Sequence, residues 1–568
     1  MSGDLIQGQR KRWRVADPSS AEVISSLSGI LPFVANLLGR RGITTREEAR
    51  EFLDVSPDLF EDPGNLPEIA IAVERLEIAR QRAETVAVFG DFDADGVTGT
   101  ALMMRALTRY GLLPVPYIPH RVTEGHGLNN GAVDKLKDQG VTLIVTVDCG
   151  VTDVGPIAHA KNSDIDTIVT DHHLVTGSRP DAIAVINPRA PGSNYAFHHL
   201  TGVGMALKLS QALLEPTHPA DWADGLMELA AIGTVTDMAP LVDENRYIVN
   251  AGLEQLRSTK SVGIRTLLES ARVHPAEASA ETIGFTIGPR LNAAGRLDHA
   301  DTAYRLLMTD DPSEALALAK QLQKSNTGRQ QLTEETLQGC RQQVAELGGP
   351  DTVVLLGSTE FNPGVVGLVA GKLVEEFGSP AAVYSLQGDT VMASCRSAPG
   401  FHWTDALTAC GDLLDRFGGH AQAAGFSCHV DRLPELHQRL LAVAAERWRG
   451  PANLLEGVAD AEVELSSLMG QTFQALRRME PFGVGNPEPV FITKDVTITE
   501  ARTMGADGQH FRLKLRTGGA MWEAVAFRQE WVPGTKRAHI VYTMNVDHWN
   551  GRQRLRLTLL DYAPVGDQ

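Results

Sequence analysis

A chain of 568 residues, 43% hydrophobic and 21% charged, has ordinary globular composition and is too long for one core, so three or four domains are expected. Its formal net charge of −18, from 52 Lys and Arg against 70 Asp and Glu, excludes a generally basic nucleic-acid-coating surface and leaves room only for a local cationic groove. No apolar run reaches the ~18 residues of a membrane span, the polar start Met1-Ser2-Gly3-Asp4 lacks a signal-peptide core, and the five cysteines show no CxxC spacing; a cytoplasmic protein without a disulfide framework or structural zinc is expected.

Residues 1–81 read as an amphipathic helical lead-in, with Thr45-Arg46-Glu47-Glu48 as a capped helix start. Beyond residue 82, hydrophobic runs end on acids or histidines. Thr85 to Gly90 is strand-like and runs into Asp91-Phe92-Asp93-Ala94-Asp95-Gly96; Thr142 to Val147 ends at Asp148; Thr167 to Thr170 ends at Asp171-His172-His173; the apolar Ala231 to Thr236 ends at Asp237. Helix-compatible stretches at Thr98 to Tyr110, Gly131 to Asp138 and Thr152 to Lys161 lie between, which predicts a parallel, doubly wound α/β sheet. Ligands bind outside the carboxyl ends of such strands, where these acids fall.

On an extended segment Asp91, Asp93 and Asp95 share one face, and three carboxylates so close raise one another's pKa unless a cation neutralises them. The same run matches the opening of an EF-hand loop, but the twelfth position, which needs a bidentate Glu, is Leu102, and a strand-like run precedes it. Adjacent His172 and His173 on an extended chain point opposite ways, which assigns one to metal and the other to substrate or a supporting contact. Asp237 lies in an apolar stretch where an unpaired carboxylate is costly.

Asp311 to Leu347 is polar with little Gly or Pro and predicts one or two long helices, a connector over 311–349. A second α/β unit over 350–450 begins with Thr352 to Gly357. The alternating runs Val496 to Thr499, Phe511 to Leu515, Ala538 to Tyr542 and Arg554 to Leu559 predict a small β-barrel over 451–568. There Trp522, Trp549 and Arg552 are candidates for stacking and backbone contacts to a single strand, with core packing an equal reading for either Trp.

Gly90 to Gly96, Asp148-Cys149-Gly150, Asp171-His172-His173 and Thr236-Asp237 resemble, in order, the four motifs of the DHH phosphoesterase superfamily, and Gly418-Gly419-His420-Ala421-Gln422-Ala423-Ala424-Gly425 resembles the signature of its associated second domain. Gly288 to Arg296, Ser394-Cys395-Arg396-Ser397 and Pro481-Phe482-Gly483-Val484-Gly485-Asn486-Pro487-Glu488-Pro489 narrow the likeness to the RecJ family of single-strand-specific 5′ to 3′ DNA exonucleases, from about Arg41 to Asp561. The resemblance implies a parallel-sheet DHH catalytic domain over 82–310, a long helical connector, a DHHA1-type α/β domain and a C-terminal OB-like barrel.

It further implies that Asp91, Asp93, Asp95, Asp148, His172 and Asp237 hold two divalent ions and that His173 faces the scissile phosphate, so that catalysis rests on His173 with Asp91, Asp93 and Asp95. The mixed Asp and His set favours Mn²⁺, with Mg²⁺ still able to support turnover. Arg121, Arg296, Ser394 and Arg396 carry over as phosphate contacts, joined by His420 and Arg290. The implied activity is release of 5′-mononucleotides from single-stranded DNA in repair and recombination, by a monomer working with a single-strand-binding protein and a helicase. The alternatives are a phosphodiesterase for short oligonucleotides or cyclic dinucleotides, which generally lacks the third domain, and a non-catalytic single-strand-binding scaffold, which would have lost metal ligands. A nucleophilic thiol at Cys149 or Cys395 is disfavoured, because the carboxylates already imply a metal-activated water; both read as packing residues.

Overall fold

The computed structural model describes residues 5–175, 177–448, 450, 456–505, 508, 510–549 and 552–565; the side chains of 547–554 lie outside the described residues. The chain divides into two compact units, one of Met1–Gly295, His299–Gln321 and Glu456–Gln568, the other of Arg296–Asp298 and Leu322–Leu455.

In the first unit, strands β1 (Thr85–Gly90), β2 (Val115–Tyr117), β3 (Val141–Val147), β4 (Asp166–Thr170) and β5 (Ala184–Ile186) form a parallel sheet in the order β2-β1-β3-β4-β5. Val86, Val88, Phe89, Ile144 and Val145 are fully buried, as a parallel sheet covered on both faces requires. Helices α1 (Ala94–Tyr110), α2 (Asn130–Asp138) and α3 (Val154–Asn162) connect the strands. Because the strand order reverses between β1 and β3, their connections leave on opposite sides and open a crevice at the carboxyl ends, where Asp91 and Asp148 stand. Two buried helices follow, α4 (Gly202–Leu214) and α5 (Met227–Thr236), and later α6 (Gly288–Leu297).

The expected helical connector is a single 35-residue helix, α7 (Pro312–Glu346). In the second unit, β6 (Val354–Ser358), helix α8 (Val366–Phe377), β7 (Ala381–Gln387), β8 (Thr390–Arg396), β9 (Arg416–Gly419) and β10 (Ala423–His429) build a mixed sheet in the order β9-β10-β8-β7-β6, in which only β6 and β7 are parallel.

The C-terminal strands β11 (Phe491–Met504), β12 (His510–Thr517), β13 (Ala520–Ala526), β14 (Arg537–Trp549) and β15 (Arg552–Pro564) close into a barrel, because β14 pairs back onto β11. Trp522 is 6% exposed and packs in the core with Leu513, Leu515 and Leu557, so it cannot stack on a nucleic-acid base. The side chains of Trp549 and Arg552 fall outside the described residues.

The lead-in departs from its expected all-helical form. It opens with strands Ile6–Gln7 and Arg12–Val15, the latter pairing in parallel with Glu456–Ala459. A four-residue strand whose partner lies near the other end of the chain leaves no local period to read. Helices follow, and Thr45 with Glu48 forms the capping box that its sequence spells.

The Pro481 to Pro489 motif is architectural. Buried Arg246 donates to the carbonyls of Phe52, Arg478, Met479, Glu480 and Pro481, while Asn486 donates to those of Met479 and Pro481 and accepts from Arg41. Each such carbonyl would otherwise be a buried acceptor without a donor, at a cost of ~1–3 kcal/mol. The motif also holds the segment after α5, since Leu241 N–H donates to Val484 O at 2.7 Å.

Candidate metal and phosphoester site

The carboxyl ends of β1, β3 and β4 and of helix α5 gather five aspartates and two histidines into three overlapping groups, each with ligand atoms within 4.8 Å of one another: Asp91, Asp93 and Asp148; Asp148, His172 and His173; Asp95, His172 and Asp237. All six residues expected to hold metal lie here, with His173. Asp148 and His172 each belong to two groups, so the three groups form one connected ligand set.

The local backbone explains how. The chain stays extended only to Gly90; α1 begins at Ala94, four residues before the expected helix start, so Asp91, Asp93 and Asp95 do not share the face of one strand. Asp93 caps α1, its Oδ1 accepting from Asp95 N at 2.9 Å and Gly96 N at 3.1 Å. Asp95 lies in the first turn of α1 and reaches the start of α4, accepting from Gly202 N at 2.7 Å and Val203 N at 2.8 Å. Two acids therefore sit on helix amino ends, whose positive poles offset part of the cluster's charge. Asp148 adopts φ of +64°, a left-handed conformation that costs ~1–3 kcal/mol outside glycine and recurs at functional sites. Gly202 must lack a side chain, because a Cβ there would lie 2.3 Å from that of Asp148.

His172 and His173 do not point apart. The chain leaves β4 at Asp171, and the two rings stand 4.5 Å centroid to centroid on the same side. Asp171, which closes the third strand-like run, orients them: its Oδ1 accepts from His172 N at 2.7 Å and lies 2.8 Å from His173 Nδ1, while its Oδ2 accepts from Val151 N. Burial works against an ionised Asp171, but His173 and His172 outweigh it and hold the carboxyl at about 2. Burial likewise disfavours a charged His173, and Asp171 prevails and raises its pKa.

The electrostatics call for a cation. Burial, then Asp93, pushes Asp95 up to about 7; burial, then Asp95 and Asp93, pushes Asp237 up to about 9; burial and four aspartates raise Asp148 well above the carboxylate range. Asp237 sits at the solvent rim on the carboxyl end of α5, the pole that disfavours an anion. Among the described residues, Asp91 Oδ1 and Asp148 Oδ1 are buried and receive no hydrogen bond, although His126 Nδ1 and His172 Nε2 stand 3.1 Å from them. Buried carboxylate oxygens of this kind fit coordination of a divalent ion, and the Asp and His donor set suits Mn²⁺ or Mg²⁺.

His126 is a site residue the sequence reading missed. Its ring is 5.5 Å from that of His173, and although burial opposes its charge, Asp91 raises it to about 9. It sits between Gly125 and Gly127 in the connection after β2, and a search of every connection at the carboxyl edge of the sheet would have found it. Asn292 was also missed: its Oδ1 accepts from Ala94 N at 2.9 Å and fixes the turn after Asp93.

The expected phosphate contacts separate. Arg121 stacks on Phe92, 4.8 Å from the ring centroid, beside Asp91 and Asp93. Arg290 donates to Thr286 O along its own helix. Within the second unit, Arg296 donates to Gly364 O at 3.1 Å, and a Cβ on Gly367 in the first turn of α8 would lie 3.2 Å from Arg396 Nη2 and 3.3 Å from Ser394 Cβ. Arg296, Ser394 and Arg396 thus surround one helix start. His420 occupies the turn between β9 and β10, and its N–H donates to the carbonyl of Ala423, the residue paired with Arg396. Cys149 and Cys395 are buried, and burial raises both thiols, which leaves neither a nucleophile.

The raised carboxylates set a pH test. Unfolded Asp titrates near ~3.9, so the metal-free native state retains protons the unfolded chain has released, up to about 7 at Asp95 and about 9 at Asp237. Metal-free stability should therefore fall as pH rises through that window. A divalent ion displaces those protons, so the gain in Tm from saturating Mn²⁺ should grow between roughly pH 5 and 8 in a thermal-shift series; a gain that shrank would oppose the assignment.

Three family models match: "DHH family, N-terminal domain" over residues 85–234, "DHHA1 domain" over 350–446 and "RecJ OB domain" over 459–561. The chain is 35% identical over 562 residues to the single-stranded-DNA-specific exonuclease RecJ of Bacillus subtilis, covering 98% of this chain and 71% of that protein. It is 33% identical to the protein of the same name from Salmonella typhimurium, covering 99% and 100%. A crystal structure of RecJ in complex with Mn²⁺ from Thermus thermophilus superposes with a TM-score of 0.80 at 31% identity, covering 98% of this chain and 80% of that one.

Proposed function

The chain belongs to the RecJ family and is a metal-dependent exonuclease of single-stranded DNA; from that premise we propose that it works from the 5′ end, releasing mononucleotides at a two-ion centre. The observation that carries this reading is the sharing of Asp148 and His172 between neighbouring ligand groups. When bound, a pair of divalent ions supplies Lewis acidity at the phosphoryl oxygens and a nucleophilic water. The residues do the rest. Asp91, Asp93 and Asp148 would hold one ion; Asp95, His172 and Asp237 would hold the other. Asp171 keeps a proton on His173 Nδ1 and presents the opposite edge of that ring to the phosphate. Arg121, supported on Phe92, neutralises phosphate charge entering the crevice. In the second unit, Arg296, Ser394 and Arg396 with the amino end of α8 form an anion pocket suited to a terminal phosphate.

The assigned domains are 82–310 for catalysis, 350–450 for the end pocket and 451–568 for holding longer strands, with 311–349 as connector. The barrel favours a long substrate over a dinucleotide. Partnership with a single-strand-binding protein and a helicase, in the cytoplasm and as a monomer, is consistent with this reading. Among the described residues no helix is long and apolar enough to cross a membrane.

Parallel digestion of 5′-labelled and 3′-labelled single strands, a blunt duplex and a dinucleotide tests the reading. Labelled mononucleotide should appear first from the 5′-labelled strand, with the blunt duplex resistant. Preference for the dinucleotide would move the assignment to a short-oligonucleotide phosphodiesterase.

A further inference from the structure

Among the described residues between 82 and 310, the exposed large apolar side chains are Leu113, Val122, Leu174, Ile183, Met238 and Phe285, and three of these directly follow Arg121, His173 and Asp237. Scattered single exposures need no explanation, but a set that borders one site does. Phe285, 81% exposed, is the one aromatic in that set and lies in a π-helix, Ile283–Ile287, that runs directly into α6. Such turns are rare and concentrate at functional sites.

Spacing places the backbone around Phe285 beside the end of α5, two residues from Asp237. Gly284, Gly288, Asn292 and Gly295 recur every three or four residues and so occupy one helical face. Built Cβ atoms would lie 3.7 Å from Val235 at Gly284, 2.4 Å from Thr236 at Gly288 and 2.5 Å from Phe92 O at Gly295, while Asn292 binds Ala94 N. That face therefore runs along both ligand-bearing segments, from the end of α5 to the Asp91 to Asp95 turn. Phe285 adjoins it at the Asp237 end. There Met238 is 71% exposed and is turned outward by a left-handed backbone, φ +59°.

We propose that Phe285 is a stacking platform for a nucleobase of the strand being cut, and that it selects for single-stranded substrate. Every phosphodiester in the centre carries a nucleoside on each side, and an aromatic face takes any base without reading its sequence. A base in a duplex is already stacked and paired, so it must be extruded before it can lie on the ring. The inference rests on the centre being a phosphodiester-cleaving site.

The test compares kcat/KM of the parent, Phe285→Ala and Phe285→Trp on single strands carrying one abasic nucleotide at each of the first several positions from the cut end. The parent should lose roughly ten- to a hundredfold at one abasic position, the range of base–aromatic stacking. Phe285→Ala should show that loss on the intact strand and no further loss at that abasic position, while Phe285→Trp restores the dependence. The same abasic penalty in Phe285→Ala as in the parent would overturn the platform. A parent that cut no strand in the presence of Mn²⁺ would instead overturn the centre itself, and the platform with it. The high exposure of Phe285 means neither substitution removes packing from the core.

Discussion

Asp148→Asn is expected to lower kcat/KM on single-stranded DNA at least ~10³-fold, since a divalent ion supplies several kcal/mol of transition-state stabilisation and each ~1.4 kcal/mol is a decade in rate. Asp148 belongs to two of the three ligand groups, so one substitution removes a donor from both of those groups. The loss should be catalytic and not structural. Asparagine preserves size and polarity and removes a charge that burial, Asp95, Asp93, Asp91 and Asp237 already oppose, so the variant should melt no lower than the metal-free parent. Activity within about tenfold of the parent at saturating Mn²⁺ would exclude Asp148 as a ligand.

Arg396→Ala should cost roughly one to two decades in kcat/KM, because charge-assisted hydrogen bonds contribute ~1.5–3 kcal/mol each. The side chain lies with Ser394 against Gly367 at the start of α8, where Arg296 also donates. If this pocket holds the terminal phosphate, the loss should be larger on a 5′-phosphorylated strand than on a 5′-hydroxyl strand. Equal losses would assign Arg396 to the strand backbone or to local packing.

Much of the site was legible because its chemistry is punctuated by strand ends. Asp148, Asp171 and Asp237 each close a hydrophobic run, and the alternation of runs predicts the crevice into which they point. What failed was the assumption that the chain remains extended beyond a strand. Capping by Asp93 starts α1 at Ala94, and the turn at Asp171 brings both histidines to one side. His126 and Asn292 escaped because each meets the site through tertiary packing, with no hydrophobic run ending on it. Trp522 illustrates the opposite error: an aromatic in a barrel strand reads equally as core or as platform, and only burial decides.

The most direct measurement strips the protein with chelator and titrates Mn²⁺ back, recording bound ion and mononucleotide release from a 5′-labelled single strand together. Release should be absent without metal, rise with added Mn²⁺ and saturate at about two ions per chain. Undiminished release by protein carrying less than about a tenth of an equivalent of metal would contradict a metal-dependent centre at these strand ends.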